Sequence, residues 1–229
     1  DLANSRFQPA ARAGIGAADV PKLKLKWAFG FPQTFSVLGQ PTVVGGRLFL
    51  GSASGRVYSL DARTGCQYWM FNAPTTVRTA ITVAAAPGGR YAAYFGDTNA
   101  SVYAIDAQTG ALLWKTHVEE HKMARITGSP KLVGNRLYVP VASGVEEMAA
   151  AQPSYPCCTF RGSLLALDAQ TGKQIWKTYT IPDPPAQTGQ SATGTKKFGP
   201  SGASIWDSPS IDLKRRLIYA VLAGLATLG

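Results

Sequence analysis

The chain has little acidic charge, little histidine and no long apolar run. Its 13 Asp and Glu face 23 Lys and Arg, a formal net charge of +10, and only 2 His and 3 Cys occur in 229 residues. No uninterrupted apolar stretch approaches the ~20 residues that cross a bilayer as a helix, so a membrane-spanning helix is excluded. The opening DLANSRFQPA has neither a basic start nor an apolar core, and any secretory signal is expected to have been removed or to lie upstream. The basic excess raises nucleic acid as a partner, but the cations are scattered. Lys22, Lys24 and Lys26 alternate with Leu, Lys196 and Lys197 are adjacent, and Lys214, Arg215 and Arg216 form a trio. No aromatic side chains interleave with them to stack bases, so the charge reads as a solvated surface suited to an acidic protein partner. His117 and His121 have the spacing of a metal pair, but VEEHKM lies in a short connection without a full ligand set. GQSATGTKK, from Gly189, places Thr195 where a phosphate loop needs Lys and has no apolar strand before it, which excludes that motif.

What the chain does have is one phrase three times: GRVYSLDARTGCQYW from Gly55, ASVYAIDAQTGALLW from Ala100 and GSLLALDAQTGKQIW from Gly162. Each copy predicts a half-buried strand, a turn and a second strand ending in Trp69, Trp114 or Trp176. Asp61, Asp106 and Asp168 are suited to accept from turn amides, and Gly65, Gly110 and Gly172 permit a left-handed turn residue. A unit that cannot bury its own face must stack on copies of itself, so the indoles are expected between successive sheets. Between the copies, QPTVVGGRLFLGS, ITVAAAPGGRYAAYF, SPKLVGNRLYVPV and SPSIDLKRRLIYAV each read as a further hairpin, giving about four strands per repeat. Asp61 and Asp106 are 45 residues apart but Asp106 and Asp168 are 62 apart, so the third copy carries 17 extra residues. The excess falls mainly in SGVEEMAAAQPSYPCCTF, residues 143–160, and extra length in a regular array marks a functional loop. Residues 181–202, IPDPPAQTGQSATGTKKFGPSG, read as a long exposed loop leading to Trp206.

The AxDAxTGxxxW repeat resembles the tryptophan-docking motif of quinoprotein alcohol dehydrogenases, and CCTFRGSLLALDAQTG is most similar to their polyvinyl alcohol dehydrogenase branch. The resemblance runs through essentially the whole chain. It implies an all-β fold, a β-propeller of four-stranded antiparallel blades with PQQ-like repeats, of which residues 1–229 would form about four blades, or half of an eight-bladed ring. It also implies pyrroloquinoline quinone and Ca2+ as cofactors, a small-molecule or polymer alcohol as substrate, cytochrome c as electron acceptor, and a periplasmic or secreted location.

Residue by residue, Ser143, Gly144, Val145 and Glu146 are similar to the family's Ser-Gly-Ala-Glu, in which the small residues approach the quinone and the Glu binds calcium. Glu147 is the alternative metal ligand, and an exposed acidic pair at a loop start is the reading without the resemblance. Trp206 in GPSGASIWDSP matches the indole floor under the quinone, with core packing as its alternative, and Ser204 matches a hydroxyl that bonds the cofactor. Arg78 in PTTVRTAITV and Thr127 in RITGSP resemble the Arg and Thr that contact the quinone's carboxylates and oxygens, with Arg125 a local competitor. Gln40 holds a comparable blade-start position without the family's acidic residue. Cys157 and Cys158 are further cofactor candidates as a vicinal disulfide, although in the methanol dehydrogenase relatives that pair precedes the Ser-Gly-Ala-Glu segment. Reduced thiols or a loop staple stay open, and Cys66 stands apart. After RRLIYAV the family would run into a Thr-Gly-Asn segment with another calcium ligand, where this chain reads LAGLATLG. No catalytic residue is assigned, because the catalytic Asp is expected beyond Gly229, and the chain is expected to be an inactive part of a longer dehydrogenase. The competing class is a non-catalytic propeller of the outer-membrane assembly type, which needs neither SGVE nor the Trp206 floor.

Overall fold

A computed structural model describes residues 2–3, 5, 7–143 and 146–225, without the side chains of Glu147 and residues 223–225. Gly144 and Val145 of the sequence reading therefore lie outside the described residues. Three antiparallel sheets follow one another along the chain among those residues, two of four strands and a third of four with one short strand added. The first joins β1 (Thr42–Val44), β2 (Arg47–Gly51), β3 (Arg56–Asp61) and β4 (Gln67–Asn72) in sequential order. The second joins β5 (Thr82–Ala86), β6 (Arg90–Gly96), β7 (Ser101–Asp106) and β8 (Leu112–His117) in the same way. In the third, β9 (Ala124–Arg125) pairs the far end of β11 (Arg136–Ser143), which lies between β10 (Lys131–Val133) and β12 (Ser163–Asp168), with β13 (Gln174–Tyr179) outermost. A register shift recurs at one equivalent place in each sheet, after Ser59, Ala104 and Ala166, so the bulge belongs to the repeat.

The recurring turn forms as its residues dictate. Asp61 Oδ1 accepts from the amides of Arg63 and Thr64, Asp106 Oδ1 from Gln108 and Thr109, and Asp168 Oδ1 from Gln170 and Thr171, all between 2.8 and 3.0 Å. Trp27, Trp69 and Trp114 each dock on the turn of the copy that follows. Trp27 Nε1 donates to Ala62 O, Trp69 Nε1 to Ala107 O and Trp114 Nε1 to Ala169 O at 3.2, 3.1 and 3.0 Å. Gly110 is needed twice over: its φ is +77°, and a Cβ there would sit 2.8 Å from the Trp69 ring. Trp176, half-buried, leans on Tyr138 with ring centroids 6.1 Å apart and finds no indole acceptor among the described residues.

The core lies between the sheets. Phe49, Val57, Trp69, Phe95, Tyr103 and Ile105 fill the space between the first two, and Tyr94, Val102, Trp114, Leu137, Val139 and Leu165 that between the second and third. Burial of each such side chain contributes roughly 1.5–3 kcal/mol.

Beyond the third sheet the pattern loosens. β14 (Ala186–Gln190) and β15 (Lys196–Gly199) form a hairpin inside the segment expected to be a long loop. It is followed by β16 (Gly202–Ile205), which pairs β19 (Leu222–Leu225), and by β17 (Ser210–Asp212), which pairs β18 (Leu217–Tyr219). No described helix is long and apolar enough to cross a membrane.

Candidate functional site

Strands β1, β5 and β10, one at the edge of each sheet, together with the lead-in to β17, border a cavity of about 880 Å3. Counting back four residues from each of these strands gives Leu38, Arg78, Thr127 and Trp206, and all four line the cavity. The repeat thus delivers one side chain per blade to a common centre. Neighbouring blades are stitched around it: Ala80 N donates to Ser129 Oγ (2.8 Å), Thr82 Oγ1 to Pro130 O (2.6 Å), Ser129 N to Ser208 Oγ (2.7 Å) and Thr127 Oγ1 to Trp206 O (2.9 Å). Backbones meet so closely here that a Cβ on Gly128 would lie 2.4 Å from Asp207 O.

The cavity favours an anion. Arg12, Arg78 and Lys131 line it against one carboxylate, Asp207, among the described residues. Arg78 is exposed, lines the cavity and forms no ion pair among the described residues, so its forked donors are available to a carboxylate. Trp206 is half-buried, lines the cavity and has no aromatic partner among the described residues. A flat polycarboxylate such as pyrroloquinoline quinone suits a lining that combines an indole with a guanidinium.

A second group of the sequence-derived residues sits where β11 ends. Ser143 and Ser204 are fully buried and bond one another, Ser143 N donating to Ser204 Oγ at 3.0 Å and Ser204 Oγ to Ser143 O at 3.4 Å. Ser143 Oγ accepts from Glu146 N at 3.2 Å. Glu146 opens a four-residue helix, Glu146–Ala149, and is 2% exposed. Its Oε1 accepts from Thr159 N (2.8 Å), Tyr155 Oη (3.2 Å) and Thr159 Oγ1 (3.4 Å), while Oε2 accepts from Phe160 N (2.9 Å). His121 Nε2 approaches Oε1 at 3.5 Å. The His121 Nδ1 accepts the Met123 amide at 3.2 Å, so a neutral ring carries its proton on Nε2, toward Thr159 Oγ1 (2.9 Å) and Glu146. Burial works to raise the Glu146 pKa, but the His121 contact and the Thr159 and Phe160 amides outweigh it and hold the carboxyl below its ordinary range. Burial and the adjacent Glu146 charge push the Tyr155 phenol up to about 12.

Calcium fits this arrangement poorly. The ion takes about six to eight oxygen ligands, whereas both Glu146 oxygens are already engaged by donors of this chain, and no three carboxylate, His or Cys side chains cluster among the described residues. His117 pairs at 3.9 Å with Glu120, away from Glu146. Cys157 and Cys158 are disulfide-bonded to each other, and their backbones pair with Phe198 of β15. Neither cysteine, nor Ser143, Ser204 or Glu146, lines the large cavity, whereas Arg78, Thr127, Trp206 and Gln40 do.

A family model described as outer membrane protein assembly factor BamB, of the PQQ_2 repeat type, matches residues 12–199. The chain belongs to this PQQ-type propeller family. The propeller is 45% identical over 229 residues to a polyvinylalcohol dehydrogenase of Pseudomonas sp., covering 99% of this chain and 35% of that one. It is also 45% identical, over 219 residues, to a polyvinylalcohol dehydrogenase of Sphingopyxis sp. (strain 113P3), covering 94% and 33%. The quinohemoprotein alcohol dehydrogenase of Comamonas testosteroni shares the fold with a TM-score of 0.69 at 23% identity, over 91% of this chain and 32% of that one. The propeller thus spans about a third of the length of these relatives. Among its cavity residues, Leu38 escaped the sequence reading; the four-residue phase before each inner strand is the signal that finds it. His121 also escaped as a partner of Glu146, and nothing in the local sequence marks it.

Proposed function

We propose that this propeller contributes the quinone-binding wall of an alcohol dehydrogenase that uses pyrroloquinoline quinone to oxidise a hydroxylated substrate, polyvinyl alcohol being the candidate that the 45% identical relatives suggest. The observation that carries the reading is the convergence of Arg78, Thr127 and Trp206, one per blade, on one basic cavity. When bound, the quinone supplies a two-electron acceptor for hydride from the alcohol carbon. Arg78 would hold its carboxylates, the Trp206 indole would support its flat face, and Thr127 would fix Trp206 through the bond to its carbonyl. Turnover is proposed for a longer enzyme of which this chain covers about a third, with cytochrome c taking the electrons. A periplasmic or secreted setting agrees with the Cys157–Cys158 disulfide, since oxidising compartments preserve such bonds. A scaffold role rests on the description of the family model, and the dehydrogenase relatives weigh against it.

Equilibrium dialysis of the chain against pyrroloquinoline quinone tests the reading. Hydrogen bonds to charged groups contribute about 1.5–3 kcal/mol, so Arg78→Gln should weaken binding roughly 10- to 100-fold, and Trp206→Ala should weaken it as well. Failure of the unaltered chain to bind, or equal binding by Arg78→Gln, would reject the proposal.

A further inference from the structure

The two places where the chain departs from its repeat meet each other. Thr195 Oγ1 of the hairpin connection donates to Pro153 O of the insertion at 2.5 Å, Phe198 N donates to Cys157 O at 2.7 Å, and Cys158 N to Phe198 O at 3.3 Å. Between the insertion and the hairpin β14–β15 lies a second cavity, of about 420 Å3, within the usual size range of small-molecule sites. Gln152, Pro153 and Tyr155 line one wall, and Thr188, Lys197 and Phe198 the other. Loops that interrupt a regular array and close on one another are built for binding rather than for the ring itself.

The chemistry of the walls is mixed in a specific way. Pro153, Phe198 and Cys157 are the apolar members of the lining, and the Tyr155 hydroxyl is committed to Glu146. Among the described residues no carboxylate lines the cavity, and the side-chain ammonium groups of Lys196 and Lys197 have no hydrogen-bond or ion-pair partner. An ammonium has donors and no acceptor, so the occupant must bring acceptor oxygens as well as aliphatic surface.

We propose that this cavity is a subsite for the aliphatic chain of a hydroxylated polymer, gripping units remote from the carbon that is oxidised. An alternation of CH2 and CHOH groups offers carbon to Pro153 and Phe198 and oxygen to Lys197 and Gln152. Binding energy from such remote units is the means by which a long substrate is favoured over a short alcohol. The inference rests on the dehydrogenase reading above.

The test uses the full chain and a fluorescein-labelled poly(vinyl alcohol) oligomer, followed by fluorescence anisotropy. Ala150 and Lys197 are exposed cavity-lining positions, so Ala150→Trp should fill the space and Lys197→Ala should remove a donor with the fold intact. The expected result is at least a tenfold loss of affinity for Ala150→Trp and at least threefold for Lys197→Ala, with quinone dialysis unchanged in both. The subsite is overturned if the unaltered chain ignores the oligomer, if both variants bind it as the unaltered chain does, or if poly(acrylic acid) of equal length binds more tightly than the polyol. Oligomer binding that Ala150→Trp abolishes, in a chain that does not bind quinone, supports the subsite while rejecting the cofactor reading.

Discussion

The docking seams between blades and the insertion at residues 143–160 are both held by buried side chains capped by backbone partners, yet they differ in kind. At a seam, one apolar ring does most of the work: Trp69 covers Gly110, tilts on Phe49 with centroids 5.9 Å apart and donates to Ala107 O. At the insertion, one carboxylate does it, with Glu146 gathering Tyr155, Thr159, Phe160 and His121. The seam recurs with the same chemistry at Trp27 and Trp114, joining residues 35 and 55 apart in sequence, whereas the Glu146 node gathers partners from 9 residues away at Tyr155 to 25 at His121 and follows no repeat. Repeated contacts give the molecule its shape, and the unrepeated ones hold the insertion that interrupts the repeat.

The largest effect should follow from breaking a seam. Trp69→Ala removes a 7% exposed indole and its bond and leaves a hole between two sheets; replacement of large buried aromatics costs about 3–5 kcal/mol. Against a typical total of ~5–15 kcal/mol, the urea midpoint should fall sharply. A loss below ~1 kcal/mol would mean that the seam is not what holds the blades together.

Breaking the node should cost less and should depend on pH. Glu146→Gln puts an amide where a carboxylate accepts two backbone N–H groups, at about 1–3 kcal/mol for disturbed buried hydrogen bonding. The native carboxyl titrates below the ordinary ~4.3 of a free Glu, so its stabilisation is complete above that value and is lost as pH falls through the native one. Urea unfolding of both proteins should therefore show a full gap at neutral pH that closes in acid. A gap that stays constant from neutral to acid pH would show that the charge of Glu146 is not what the node uses. Trp69→Ala, by contrast, should keep its deficit across the same range.

The same difference explains what the sequence made legible. Asp61, Asp106 and Asp168 announce their turns, because an Asx side chain and a left-handed Gly act within a few residues. Arg78, Thr127 and Trp206 are legible through their resemblance to the quinoprotein motifs, and the strand starts of the folded repeat account for their lining one cavity. That Trp27, Trp69 and Trp114 dock on the following copy is a property of stacking, which a phrase containing both Trp and turn does not display. His121 and Thr159 reach Glu146 from 25 residues before it and 13 after it, with no periodicity to betray either. The hairpin inside residues 181–202 reads as loop because Ala186–Gln190 and Lys196–Gly199 lack an apolar alternation. Its strands are held by contacts to Pro153, Cys157 and Cys158, and those lie in another segment.

The smallest effect expected lies where the repeated frame and the adapted site touch. Thr127 belongs to the frame by its phase, and its hydroxyl donates to the carbonyl of Trp206, the ring assigned to the quinone. Thr127→Val keeps the volume and removes the donor. Because the pair is part-buried, the freed carbonyl has access to water, and the stability cost should stay near the ~0.5–1.5 kcal/mol of a single net hydrogen bond. Quinone affinity discriminates between the two roles. If Thr127 serves the frame alone, dialysis of Thr127→Val should match the unaltered chain. If it fixes the pose of Trp206, affinity should fall several-fold while the urea midpoint hardly moves, and that second outcome is the one the shared cavity leads us to expect.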